Sequence, residues 1–314
     1  MKKWFTLFLA FALVLTLTAS VYADEKGKIG MCAASLSFDF QLKMSNGIER
    51  AAKEAGYEYV VYDYNFDNEN MLSGLDVLKA SGVKGMYGLF LSGETATPFM
   101  KENPDIGVLT QGAVVDGAKA CTQEDYVKMG ENFVAALDAY VTEKGITSGE
   151  IGALWLELCQ NEDNEYYGAK EQIKDVIKAW CEGKDFTFNE SAEFYPPDDE
   201  TAANDTAQIL NAYPNLTFLF CFNNGYAIAA ANEISSARPN TDNYFVFSSE
   251  GDEETFRLIQ SGTSPLRGCT YMDIEASGYE VGKHLIDWIE NGNLVNVIVN
   301  RELVDARNIS EYSK

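Results

Sequence analysis

The stretch KIGMCAASLSFDFQLKMSNGIERAAKEAGYEYVVYDY, Lys28 to Tyr64, decides the fold. Ile29 to Ala34 is an apolar run too short for a globular helix and bounded by polar residues, which predicts a buried strand. Met44, Ile48, Ala51 and Ala55 then recur at steps of four, three and four, so they line one face of a helix that Gly56 stops. Tyr57 to Tyr62, rich in Val and Tyr, predicts a second strand. A strand, a helix and a strand joined by short turns form a parallel unit whose crossover packs back on the sheet. Between first strand and helix, Ser35 to Gln41 interleaves two aromatics with polar groups at the carboxyl end of a parallel strand. Ligands bind at that end in open α/β sheets.

The pattern continues outward from this unit. Met71, Leu72, Leu75 and Leu78 mark a helix, Gly85 to Leu91 a strand with Ser92 at its exit, Ile106 to Thr110 a strand ending at Gln111, and Ala118 to Thr122 a short strand. Strands alternating with helices predict a doubly wound parallel sheet. After the long helical stripe Met129, Phe133, Leu137 and Tyr140, the series restarts with a strand at Ile151 to Leu158, a polar loop to Glu165 and a helix through Ala169, Ile173 and Trp180. Ile29 to Gly47 and Ile151 to Gly168 have nearly the same length, and both glycines are read as leading into helices, a weak internal repeat. Strands follow at 186–194, 216–222, 244–249 and 266–272. Pro196 to Glu200 has the composition of a capped helix start rather than of a catalytic acid cluster. The helix from Ala276 to Asn291 and one strand at Val297 to Leu303 resemble the first half, which predicts several chain crossings and a hinge.

At 314 residues two domains are expected. Met1-Lys-Lys, the apolar Trp4 to Leu17 and Val21-Tyr-Ala23 read as a secretory signal over 1–23, with no Cys near the cleavage point for a lipid anchor. The apolar core is too short to span a bilayer. Loss of Lys2 and Lys3 with that signal leaves 22 basic against 48 acidic residues, a net −26 that repels nucleic acid and anionic lipid. The expected location is extracytoplasmic, in the periplasm or at the cell surface.

Six cysteines read mainly as buried thiols, with Cys159 and Cys181 the best candidates for a bridge. With one histidine and no Cys-x-x-Cys, no metal is expected. Asp63 to Glu69 imitates half a calcium loop but has Asn68 where the loop needs Gly and Gly74 where it needs Glu, so a polar turn capping the next helix is expected. The chain has no Gly-x-Ser-x-Gly elbow, phosphate loop or dinucleotide fingerprint, so no catalytic residue and no cofactor is assigned. Glu250 and Asp252 leave sugar hydrolysis as a weaker alternative.

The order and spacing of several stretches resemble the sugar-type (type I) periplasmic solute-binding proteins of ATP-driven importers, in the ribose- and galactose-binding group. They are Ile29 to Tyr57, Asp125 to Gly130, Phe220-Cys-Phe-Asn-Asn-Gly-Tyr-Ala227, Ser249-Glu-Gly251 and Val304 to Ile309. The resemblance implies two doubly wound Rossmann-like lobes, 24–124 with 273–303 and 125–272 with 304–314, joined by a multi-strand hinge and closing over a small polar solute. It implies ligand contacts at Phe38, Phe40, Gln41, Ser92, Gln111, Glu165, Asn223, Glu250 and Asp273, with Phe40 the foremost stacking ring. It implies a monomer that serves a membrane permease or, alternatively, a chemoreceptor or sensor kinase, and no nucleic acid partner. A transcription regulator of the same two-lobe form conflicts with the acidity and the export signal. Where such proteins commonly carry an Arg in the second lobe this chain has Glu165, and no Arg stands near Gln111. A pocket offering Asp39, Glu165, Glu250 and Asp273 suits a donor-rich solute, an amine-bearing one included, better than an anion.

Overall fold

The computed structural model describes residues 26–112 and 115–312. The expected export signal lies outside them. The chain forms two compact units, which in described residues are 26–123 with 274–298, and 124–273 with 299–312.

The first unit carries a six-stranded sheet in the order β11-β5-β4-β3-β1-β2. Its strands are β1 (Lys28–Ala33), β2 (Glu58–Asp63), β3 (Val83–Gly88), β4 (Gly107–Gln111), β5 (Ala120–Glu124) and β11 (Val297–Val299). β1 pairs in parallel with both β2 and β3, so the strand order reverses at β1. Helix α1 (Asp39–Ala55) covers one face together with α9 (Ile274–Asn291), and α2 (Asn68–Ala80) and α3 (Gly93–Glu102) belong to the other face. Met44 and Ile48 on α1 and Val281 and Leu285 on α9 are buried with Ile29 and Met31 of β1, as the helical spacing demands. α1 and α9 pack closely because Gly47 and Gly278 have no side chain; a methyl at either would overlap the backbone of the other helix.

The second unit repeats this plan, with order β12-β10-β9-β8-β6-β7. The strands are β6 (Ser148–Leu154), β7 (Asp185–Phe194), β8 (Leu216–Cys221), β9 (Phe245–Ser248), β10 (Leu266–Tyr271) and β12 (Glu302–Asp305). All pair in parallel except β12, which runs antiparallel to β10. Two core layers flank this sheet. One gathers Phe133 and Tyr140 of α4 (Tyr126–Lys144) and Ile173 of α5 (Glu165–Cys181) with Trp155, Phe220 and Phe247. The other gathers Ile209 of α6 (Asp199–Ala212), Ala227 and Ile234 of α7 (Asn224–Ala237) and Ile259 of α8 (Glu253–Ser261).

Four details depart from the sequence reading. The strand expected at Val297 to Leu303 is two strands, because Arg301 interrupts it and Glu302–Asp305 pairs with β10; residues 299–303 therefore belong with the second unit. Gly47 and Gly168 lie inside helices rather than leading into them, and only Gly47 is tightly packed. Cys159 and Cys181 are free, as are the other four cysteines: Cys159 is buried in the core while Cys181 sits at the end of α5. α1 starts at Asp39, so Phe40 and Gln41, expected in the loop, are helical. By contrast Asp198 caps α6, its Oδ1 accepting from Thr201 N–H at 2.8 Å, and Asp67 caps α2 through the N–H groups of Glu69 and Asn70, as expected.

Candidate functional site

In an open doubly wound sheet, two neighbouring strands whose crossovers leave on opposite faces splay their carboxyl-end loops apart and leave a crevice. In the first unit this point lies between β1 and β3. The loop after β1 is fastened from beneath: Ser35 N–H donates to Gln41 Oε1 at 2.8 Å, and Leu36 N–H to Asp63 Oδ2 at 2.9 Å. Gln41 is 2% exposed, so this bond fixes the loop from inside the protein. Phe40 is partly buried against the core beneath α1, whereas Phe38 is 55% exposed.

Phe38 does not stand alone. Its ring meets Phe66 edge-on with centroids 5.8 Å apart, and Phe66 lies 6.2 Å from Phe90. Phe66 and Phe90 are each 56% exposed. Both have left-handed backbone, φ 55° and φ 50°, a conformation costing a residue with a Cβ roughly 1–2 kcal/mol. The buried Tyr64 hydroxyl donates to Leu89 O at 2.8 Å and Phe90 O at 3.0 Å, holding that backbone in place. The three loops after β1, β2 and β3 therefore present a connected aromatic surface. Ser92 precedes α3 and makes no side-chain cap, and Gln111 ends β4 with Oε1 buried and no partner among the described residues. A buried amide oxygen without a donor is costly unless something supplies one.

The matching point in the second unit lies between β6 and β8. Trp155 is fully buried there, with Phe222 6.2 Å and Phe220 5.1 Å away, and Tyr166 sits edge-on 5.9 Å from Phe222. Asn223 caps α7, its Oδ1 accepting from Tyr226 N–H at 2.7 Å. Ser249 Oγ donates to Phe222 O, joining the loops after β8 and β9. Glu250 follows, its N–H donating to Ser248 Oγ at 3.2 Å. Its side chain reaches solvent, yet it is hemmed in by enough surrounding protein that desolvation raises the carboxyl above its ordinary value, with Arg301 pulling in the opposite direction. Glu165, first residue of α5, and Asp273, just past β10, are both exposed.

The sequence reading missed Arg301. It is 8% exposed and donates to Glu124 Oε2 from Nε at 2.8 Å and Nη2 at 2.5 Å. Asn132 Nδ2 donates to Arg301 O at 3.2 Å and to Thr270 Oγ1 at 3.4 Å, anchoring the segment before β12. Tyr126 and Tyr166 border the same group. Burial pushes both phenols up, and so do Glu124 and Glu165; Glu250 adds to the effect on Tyr166. Glu165 and Glu250 thus share one acidic, tyrosine-lined neighbourhood with a single buried guanidinium. Isolated in sequence between two short strands, Arg301 gave no periodic signal. In sequence, Phe66 falls in an expected turn and Phe90 in an expected strand.

Among the described residues no group of three or more His, Cys, Asp and Glu side chains is arranged to hold a metal ion, and no helix is long and apolar enough to cross a membrane.

Two units of identical strand order, each with polar and aromatic loops at its carboxyl edge, define the type I solute-binding class of α/β protein. The sequence matches the periplasmic binding protein domain over residues 29–291, and the chain belongs to that family. No curated protein sequence matches it. Among solved structures, a solute-binding protein of an ABC transporter from Bradyrhizobium sp. BTAi1 with bound Bis-Tris is similar at TM-score 0.73 and 15% identity, covering 92% of this chain and 85% of that one. An arabinose-binding protein from Geobacillus stearothermophilus gives TM-score 0.71 at 13% identity, covering 92% and 99%. The XylFII–LytSN complex gives 0.68 at 19% identity, covering 90% and 99%. At these identities the likeness is one of fold.

Proposed function

We propose that the chain is an extracytoplasmic receptor that binds a small polyhydroxylated solute, amino sugars included, through the loops at the carboxyl edges of its sheets and delivers it to the permease of an ATP-driven importer. The observation that carries this reading is the exposed aromatic surface of Phe38, Phe66 and Phe90, built by the loops after β1, β2 and β3. Exposed rings on strained backbone persist where something outside the fold uses them. A sugar or polyol offers C–H faces to such rings.

The other proposed contacts follow the same chemistry. Ser92 and the amide N–H groups of Asn223 supply donors, Glu165, Glu250 and Asp273 supply acceptors, and Phe40 and Gln41 shape the first loop from below. Family membership supports binding without turnover. Solved relatives in fold carry allitol and myo-inositol. Hinge closure would be a population shift set by the solute's stronger hold on the closed form.

A melting-temperature screen with allitol, myo-inositol, pentoses, amino sugars and polyamines tests this. At least one compound should raise Tm and be recovered unchanged; a glycoside cleaved during incubation would instead establish hydrolysis. A second reading, delivery to a sensor rather than a permease, is favoured by the likeness to XylFII–LytSN. Binding of the loaded protein to a sensor domain, with no stimulation of a permease ATPase, would establish it.

A further inference from the structure

The loops after β1, β2 and β3 present more aromatic surface than one sugar ring covers. Phe38, Phe66 and Phe90 are each more than half exposed, and Phe66 is the middle ring, 5.8 Å from Phe38 and 6.2 Å from Phe90 between centroids. An aromatic side chain brings about 150–250 Å² of area, so three half-exposed rings leave on the order of 300 Å² of apolar surface open. The three differ in orientation. Phe38 meets Phe66 edge-on at 89° and buttresses it, whereas the planes of Phe66 and Phe90 lie only 33° apart. These last two rings are also the two held in left-handed backbone.

The fold itself fixes the surface, because two consecutive residues tie together the three loops that carry it. Asp63 accepts from Leu36 N–H in the loop after β1 through Oδ2 and from Asn65 N–H in the loop after β2 through Oδ1, both at 2.9 Å. The Tyr64 hydroxyl donates to Leu89 O and Phe90 O in the loop after β3. Phe66 N–H donates to Ala34 O at 2.9 Å, which draws the middle ring toward β1. A surface ordered in advance loses less entropy when it binds. Polar groups stand between the rings: Phe38 lies between Ser37 and Asp39, and Phe66 between Asn65 and Asp67, all four exposed. Hydroxyl, amide and carboxylate groups beside apolar faces suit an occupant with C–H faces and hydroxylated edges, not a wholly apolar one.

Building on the receptor reading, we infer that the solute is a disaccharide, with one sugar ring on Phe66 and the other on Phe90. Two linked rings use both near-parallel phenyl faces at once; a single sugar or polyol covers one and leaves the other in water.

Calorimetry with matched pairs tests this: glucose with cellobiose, galactose with lactose and xylose with xylobiose, beside allitol and myo-inositol. Methyl β-glucoside supplies the glycosidic bond without a second ring, and phenyl β-glucoside supplies an aromatic second ring. In at least one pair the disaccharide should bind at least tenfold more tightly than its monosaccharide, and more tightly than either glucoside. Phe66→Gly and Phe90→Gly each remove one exposed ring and relieve left-handed backbone, so both variants keep the fold. In each, the advantage of the disaccharide should shrink to less than threefold. A monosaccharide or polyol that binds as tightly as every disaccharide, a phenyl glucoside that matches them, or an advantage retained in both variants would overturn the disaccharide assignment and leave the receptor reading standing. Flat titrations throughout would contradict the receptor reading and the assignment with it.

Discussion

Arg301 and Glu124 meet at one oxygen: Nε and Nη2 of the arginine both converge on Glu124 Oε2, at 2.8 and 2.5 Å. The contact joins the end of β5 to the residue that precedes β12, two points where the chain passes from one unit to the other. Charge-assisted pairs of this kind are short and orient their partners. Arg301 is buried, so its charge depends on Glu124 and on the nearby Glu250.

Arg301→Met should therefore destabilise the chain by about 2 kcal/mol, less than for a fully buried pair because the Glu124 side chain keeps 29% of its exposure. Urea unfolding should show a smaller combined loss for Arg301→Met with Glu124→Gln than the sum of the two. Strict additivity would mean that the pair is structurally idle.

Glu250 gives a pH dependence of definite sign. Burial raises its folded carboxyl above the ordinary 4.5, so the folded chain holds this proton more tightly than the unfolded chain does. The stability it contributes is fullest below 4.5 and is lost as pH rises through the raised value. Glu250→Gln stays neutral throughout, so relative to wild type it should gain stability as the pH rises from below the ordinary 4.5 to neutral. Thermal melts across that range check it, and a relative loss at neutral pH would show that attraction to Arg301 outweighs desolvation.

Phe90 separates binding from stability. Phe90→Gly removes a half-exposed ring and relieves its left-handed backbone, so stability should change by less than about 1 kcal/mol. Solute affinity should fall by about tenfold, the effect of removing one stacking ring from a binding surface. Unchanged affinity would detach the aromatic surface from the solute site.

The cysteines should be chemically quiet. Burial, helped by Asp63, pushes the Cys32 thiol up to about 12, and burial pushes Cys159 up to about 11. A thiol-reactive dye should label Cys181, the one cysteine not fully buried, first, and all six only after unfolding. Native protein that yields fewer than six thiols on unfolding without reductant would reveal a bridge.

The architecture was legible in the sequence because period alone separates buried strands from amphipathic helices. Ile29 to Ala34 and the stripe Met44, Ile48 and Ala51 lie in the core as that period demands. Boundaries were less legible. α1 begins at Asp39 because Phe38 can end the loop in extended backbone without a capping side chain, and no residue type announces that. The close fit of Gly47 against Gly278 joins residues far apart in sequence, as does the pairing of Arg301 with Glu124. Phe66 and Phe90 were hidden for another reason: aromatic residues in left-handed backbone contradict local preference, and only the hydrogen bonds from Tyr64 show how Phe90 is held. The candidate site was thus readable at or just past strand ends, as at Phe38, Gln111 and Glu250. It was unreadable where distant segments complete it.

Whether this chain holds a small polyhydroxylated solute and leaves it unreacted decides the functional reading. Isothermal titration calorimetry with allitol, myo-inositol, pentoses and amino sugars addresses it without intermediaries. Saturable binding of at least one of them is expected, one molecule per chain, with the solute recovered intact. Flat titrations across the whole panel at millimolar solute would refute the receptor reading.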